Sequence, residues 1–100
     1  MLDLYIDLLA ENDLEEIIRY YYFEVPGLDK DFTKEVFATI DIARSFPNAY
    51  ARYYKDYRKI SLHRFPNNIL YRKEKNTIVV ALVISQHCDP KLIRVRLKGM

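Results

Sequence analysis

The spacing of apolar residues changes along this chain, and each change marks an element. Leu2, Leu4, Ile6 and Leu8 alternate with Asp3, Tyr5 and Asp7, the period of a short strand with one buried face. A helix from Leu2 is the competing reading, because no breaker precedes Glu11. From Ala10 the spacing becomes helical. Leu14, Ile17, Ile18 and Tyr21 share one side, with Glu15, Glu16 and Arg19 opposite, and acidic residues in the first turns suit the positive end of the helix dipole. Val25-Pro26-Gly27 stops that helix through ring sterics and a permissive glycine. Asp29 or Asp31 is placed to cap a second helix, whose stripe of Phe32, Val36, Phe37, Ile40 and Ala43 runs to Phe46-Pro47. Two helices joined by so short a turn predict an antiparallel hairpin.

Period two returns after Tyr57. Segments rich in β-branched and aromatic residues are separated by Pro66-Asn67-Asn68 and by Lys75-Asn76. Connections this short permit only antiparallel pairing, since a parallel pair needs a long crossover. The first segment places Ile60 and Leu62 on one face and Lys59, Ser61 and His63 on the other. In the second, Ile69 and Tyr71 alternate with Leu70 and Arg72, so its buried face stays ambiguous. Ile78 to Ile84 is apolar on both faces and predicts the covered middle strand. Asp89-Pro90 then reads as an N-cap followed by a first-turn proline. A brief helix from Pro90 to about Leu97 is preferred to a fourth strand, although Leu92-Ile93-Arg94-Val95 would suit one. The expected fold is α/β (α+β), with residues 1–100 as a single domain. It has a short N-terminal strand, a helical hairpin on one face of a twisted antiparallel β-meander, and a short C-terminal helix.

Composition changes this picture in one respect. The chain is 50% hydrophobic and 30% charged, as soluble globular domains are. No apolar run approaches a membrane span, and the acidic start lacks the basic flank of a signal peptide, so the expected location is cytoplasmic with no membrane partner. The lone Cys88 excludes an internal disulfide framework and suits a reducing cytosol. The formal charge of +2 conceals a division, however. Residues 1–41 carry 11 acidic and 3 basic side chains, and residues 42–100 carry 3 acidic and 13 basic ones. Either the basic half meets a charged partner, or acidic helices pack beside a basic sheet.

Candidate chemistry is sparse. Tyr20-Tyr21-Tyr22-Phe23 points in several directions on a helix and is expected to pack between the helices and the sheet. Tyr50, Tyr53 and Tyr54 interleaved with Arg52 and Lys55 suit a surface for single-stranded nucleic acid, or a connector whose rings lean on the helices. Basic residues gather on and around the sheet: Arg58, Lys59, Arg64, Arg72, Lys73 and Lys75. They protect strand edges or meet a polyanion. His63 and His87 sit at the two ends of the meander as surface groups or proton carriers. Cys88 has no neighbouring motif that would supply an oxyanion hole. A metal at His87 and Cys88 would need two further ligands that the sequence does not place nearby, so neither metal nor cofactor is expected.

In this order the elements resemble the RelE/ParE superfamily of toxins from bacterial type II toxin–antitoxin (plasmid-stabilisation-like) modules. The resemblance runs over nearly the whole chain. Asp13-Leu14-Glu15-Glu16-Ile17 opens the hairpin and Ser45-Phe46-Pro47 closes it. Arg64-Phe65-Pro66 precedes Ile69-Leu70-Tyr71-Arg72, and Asp89-Pro90 follows the Val/Ile/Leu strand. The resemblance implies a cytosolic toxin neutralised by a cognate antitoxin, whose acidic and apolar tail would lie over Arg58, Lys59, Arg64, Arg72 and Lys73. RelE-like members are ribosome-dependent mRNA endonucleases that need no metal, and ParE-like members poison DNA gyrase. Lys59 matches a basic position of the nuclease branch. Cys88 stands where that branch carries Arg, and Asn68 stands where it carries a basic residue. A cysteine offers no guanidinium fork to a phosphate, so any cleavage would fall to Lys59, His63, Arg64, Arg72 and His87. The resemblance therefore favours a gyrase poison in the ParE manner. The alternatives are a RelE-type endoribonuclease and a degenerate, non-toxic member that binds only an antitoxin or itself.

Overall fold

The computed structural model describes residues 1–99. Its elements run β1 (Asp3–Ile6), α1 (Leu8–Glu24), α2 (Leu28–Ser45), β2 (Arg52–Tyr54), β3 (Tyr57–Ser61), β4 (Asn67–Glu74), β5 (Thr77–Ser85) and α3 (Pro90–Lys98). The strands form one sheet in the order β1-β5-β4-β3-β2. Strands β2 to β5 are antiparallel in sequence order, while β1 lies parallel to β5 with Asp3 opposite Thr77 and Ile6 opposite Val80. The long connection that such a parallel pairing requires runs through the helical hairpin and then β2, β3 and β4.

β5 is covered on both faces, as its sequence predicts. On one side Ile78, Val80 and Val83 meet Ala10, Leu14, Phe32, Val36 and Ile40 of the hairpin. On the other, Leu82 and Ile84 meet Ile93 and Leu97 of α3. The ambiguity in β4 resolves the same way, because both of its faces are buried. Ile69 and Tyr71 join the hairpin side and Leu70 joins the α3 side. A register shift, with Leu70 opposite Leu82 but Tyr71 opposite Val80, makes room for Ala81 as the extra residue.

Four expectations need correction. α1 begins at Leu8 rather than Ala10, because the Asp7 carboxylate accepts from the Leu9 N–H at 3.1 Å and caps the helix earlier. Neither Asp29 nor Asp31 caps α2. Its N-cap is Gly27, held at φ +84, with both aspartates inside the first turn. The meander gains a strand from the stretch read as a connector, since Arg52–Tyr54 pairs with β3 as β2. Asn67 and Asn68 are not a turn but the buried start of β4, opposite Ser85 and Ile84.

The aromatic run also departs from expectation. Tyr21 alone is drawn inward, where it meets Phe32 and Phe65 in a cluster whose ring centroids lie 5.1–5.3 Å apart. Tyr20, Tyr22 and Phe23 are exposed, Phe23 by 76%. They fall on the outer side of α1, and no element among the described residues covers that side.

Candidate functional site

The sheet face that carries α3 is where the sequence-predicted cations could meet. Strand alternation puts Tyr57, Lys59 and Ser61 of β3 on that face, and the β3–β4 register sets Leu70 and Asn68 opposite Lys59 and Ser61. Arg72 shares the face. Each cation there already has a local partner. The Lys59 ammonium sits 4.8 Å from the centre of the Tyr53 ring. Arg72 donates to Glu74 at 2.6 Å, and that hydrogen bond holds its guanidinium pKa above the ordinary value. Beyond Lys59, the Ser61 hydroxyl donates to Asn68 Oδ1 at 2.7 Å. Lys59, Ser61, Asn68 and Arg72 thus all have partners on or beside this face.

The other candidates are dispersed. Arg58 points to the opposite face and donates to the Tyr50 carbonyl. Arg64 lies in the β3–β4 loop, 3.7 Å from Asp31 of α2. The backbone N–H groups of His63 and Arg64 both donate to the Glu35 carboxylate, which ties this loop to the hairpin. Lys73 is exposed near the end of β4, and His87 is exposed in the β5–α3 turn, beside the half-buried Cys88. Tyr53 and Tyr54 lean on the α3-side core and Tyr50 on the hairpin-side core, so these rings form no open stacking platform. Among the described residues, no group of His, Cys, Asp and Glu could hold a metal ion, and no helix is long and apolar enough to cross a membrane.

The charge division read from the sequence is partly internal, through Asp31–Arg64, the Glu35 contacts and a third pairing at Asp13. On α1 the Asp13 carboxylate accepts from the Val83 N–H of β5 at 3.0 Å and from Arg96 of α3 at 2.9 Å. It joins three elements at the point where β1 has ended and β5 has lost its neighbour. Burial pushes the Asp13 pKa up, against the opposing pull of the Val83 and Arg96 hydrogen bonds. The sequence held a signal for this role, because Asp13 lies among Ala10, Leu14 and Ile17 on the inward stripe of α1.

Asp13→Ala should destabilise the fold by about 1–3 kcal/mol, because it leaves the buried Val83 N–H without an acceptor. Urea unfolding at neutral pH checks this. With the folded pKa above the unfolded one, the folded state holds the proton more tightly. Asp13 alone therefore adds stability as pH falls through its folded pKa and loses it as pH rises. Asp13→Asn should remove that pH dependence while costing less than Asp13→Ala.

The family profile for the ParE toxin of type II toxin-antitoxin system, parDE, matches residues 4–90. The chain belongs to the ParE toxin family. The match runs from within β1 to the first residue of α3, and so takes in the helical hairpin and the other four strands but not the α3 side chains of the second core. A solved structure of the chromosomal ParDE toxin–antitoxin system from P. aeruginosa is similar to this ParE-family toxin, with a TM-score of 0.73 at 18% identity. The alignment covers 85% of this chain and 96% of that one. The isolated E. coli RelE toxin aligns over 100% of both chains at 15% identity, with a TM-score of 0.54. At these identities the two structures speak for the fold alone. A search of curated proteins gives no match.

Proposed function

We propose that this ParE-family toxin acts in the cytoplasm by binding DNA gyrase, performs no chemistry of its own, and is neutralised by a cognate antitoxin. The observation that carries the reading is the state of the α3-side sheet face. Its two cations, Lys59 and Arg72, are engaged by Tyr53 and Glu74. Asn68 is bound to Ser61, and Cys88 follows the strand end where a nuclease would hold a guanidinium. Phosphate cleavage needs charge stabilisers already aimed at the transition state, and these groups are aimed at one another. Exposed Lys55, Lys73 and Lys75 on the meander turns and edges leave a basic surface over which an acidic antitoxin tail would lie.

Two assays run side by side test the proposal. Purified toxin should block supercoiling of relaxed plasmid by gyrase, and in vitro translation read by primer extension should show intact messenger. Ribosome-dependent cleavage by the unmodified chain would overturn the reading in favour of the RelE mode. Unimpaired growth of cells expressing the chain without its antitoxin would point to a degenerate member.

A further inference from the structure

Beyond the two cores, apolar groups gather in water at two places that complement each other. The first is a cleft of about 470 Å³ on the outer side of the hairpin, lined by Glu15, Ile18, Arg19, Tyr22, Phe23 and Asp29. The Tyr22 and Phe23 rings stand edge to face with centroids 5.1 Å apart, and both are exposed. Half-buried Ile18 adds an aliphatic wall. Apolar side chains gathered into one patch mark a contact site, whereas scattered ones need no explanation. The second place is the outer side of α3. Ile93 and Leu97 turn inward to the sheet, while Leu92 and Val95, three positions apart and so on one face, are 53% and 65% exposed. Exposed Lys91, Arg94 and Lys98 flank them.

The charges at the two places are opposite, and neither set is satisfied within the molecule. α1 carries Glu11, Glu15, Glu16 and Glu24 outward against Arg19 alone, and Asp29 adds a carboxylate from α2 at the cleft. α3 has no acidic residue after its cap, Asp89. Among the described residues only Arg96 of its cations makes an ion pair, with Asp13. Lys91, Arg94 and Lys98 make none, and neither do Glu15 and Asp29. Inside one molecule they do not meet. The hairpin packs on one face of the sheet and α3 on the other, each with its outer side turned away.

We propose that the outer face of α3 seats in the α1 cleft of a second copy of this chain. Leu92 and Val95 enter between Ile18, Tyr22 and Phe23, and Lys91, Arg94 and Lys98 reach Glu15, Asp29 and the outer glutamates. The chain itself supplies both halves of the match, an acidic apolar cleft and a basic apolar helix, and this selects a second copy as the occupant. The contact is heterologous, so a molecule that gives its α3 keeps a free cleft. A single helix of 9 residues makes a small interface, below the roughly 1,200 Å² of stable pairs, so association is weak and concentration-dependent. The inference uses neither gyrase nor antitoxin and stands apart from both readings.

Sedimentation equilibrium of the intact chain tests it. At about 0.1–1 mM protein, where a weak contact is populated, the mean mass should rise above that of the monomer. Raising salt from about 0.05 M to about 0.5 M should reduce association, because the opposed charges are screened. Two double variants decide which surfaces meet: Tyr22→Ser with Phe23→Ser, and Leu92→Ser with Val95→Ser. All four positions are exposed, so both variants should fold, which circular dichroism checks. Each alone should be monomeric. Mixed in equal amounts they should form a one-to-one dimer and nothing larger, because the first still has its α3 and the second still has its cleft. A parent that stays monomeric would overturn the proposal, as would association that salt leaves unchanged. So would a variant that still associates alone, which would assign the contact to one surface meeting its own kind, or a mixture that stays monomeric.

Discussion

Val80→Asp should yield no folded protein. Val80 is fully buried in β5, opposite Ile6 on one flank and Tyr71 on the other, with the hairpin against its side chain. No cation faces it from the cluster it packs in, so an aspartate there must be buried unpaired or take up a proton. Either outcome costs several kcal/mol or more, against a total stability of about 5–15 kcal/mol for a domain. The variant should lose its near-ultraviolet circular dichroism and its sharp amide spectrum. In the parent, exchange of the Val79 to Val83 amides should be the slowest in the chain. Fast exchange there would contradict the placement of the core.

Phe32→Ala should be the most damaging truncation that still allows folding to be measured. Phe32 is wholly buried at the first turns of α2 and touches the rings of Tyr21 and Phe65. Those contacts join both helices to the β3–β4 loop. Removing the ring empties the centre of the cluster, and Glu35, one turn along α2, holds the backbone of that loop through His63 and Arg64. The surrounding structure can therefore collapse only partly into the space. The expected loss is about 3–5 kcal/mol, which for a domain of this size lowers Tm by roughly 15–30 °C. Thermal unfolding at a fixed protein concentration measures it. A shift of only a few degrees would show that the loop closes over the gap.

The elements that the sequence revealed are those whose burial is written in periodicity. Ile78 to Ile84, apolar on both faces, is the doubly covered strand, and Asp89-Pro90 opens α3 with the Asp89 carboxylate accepting from Lys91 at 2.9 Å. The ParE-family membership was legible in the same way, from motifs that punctuate those elements. What periodicity could not carry was pairing. β2 is too short to show alternation, and it exists because β3 offers it an edge. The partner of β1 could not be read from Leu2 to Leu8, since parallel pairing to β5 depends on where the hairpin returns the chain. Asn67 and Asn68 look like a turn because turns favour asparagine, and only tertiary pairing makes them strand. At the candidate site the residue types were visible but their engagement was not. Nothing local announces that Glu74 holds Arg72 or that Tyr53 lies under Lys59.

The parallel pairing of β1 with β5 bears on when the molecule comes into being. β1 has its sheet neighbour in residues 77–80, Asp13 waits for Val83 and Arg96, and the hairpin's apolar side is covered by strands that follow it in the chain. Bringing such distant segments together is slow and must await the later one. While the ribosome works through the chain at about 5–20 residues per second, the hairpin emerges with its inner stripe uncovered and cannot complete itself. The strand that would close it, β5, is still unmade when the hairpin emerges. Assembly of this ParE-family fold thus waits for β5 and cannot be completed by the hairpin alone. An interval therefore separates the emergence of the hairpin from the arrival of the strand that covers it, and during it the inner stripe of the hairpin is open to any partner already present.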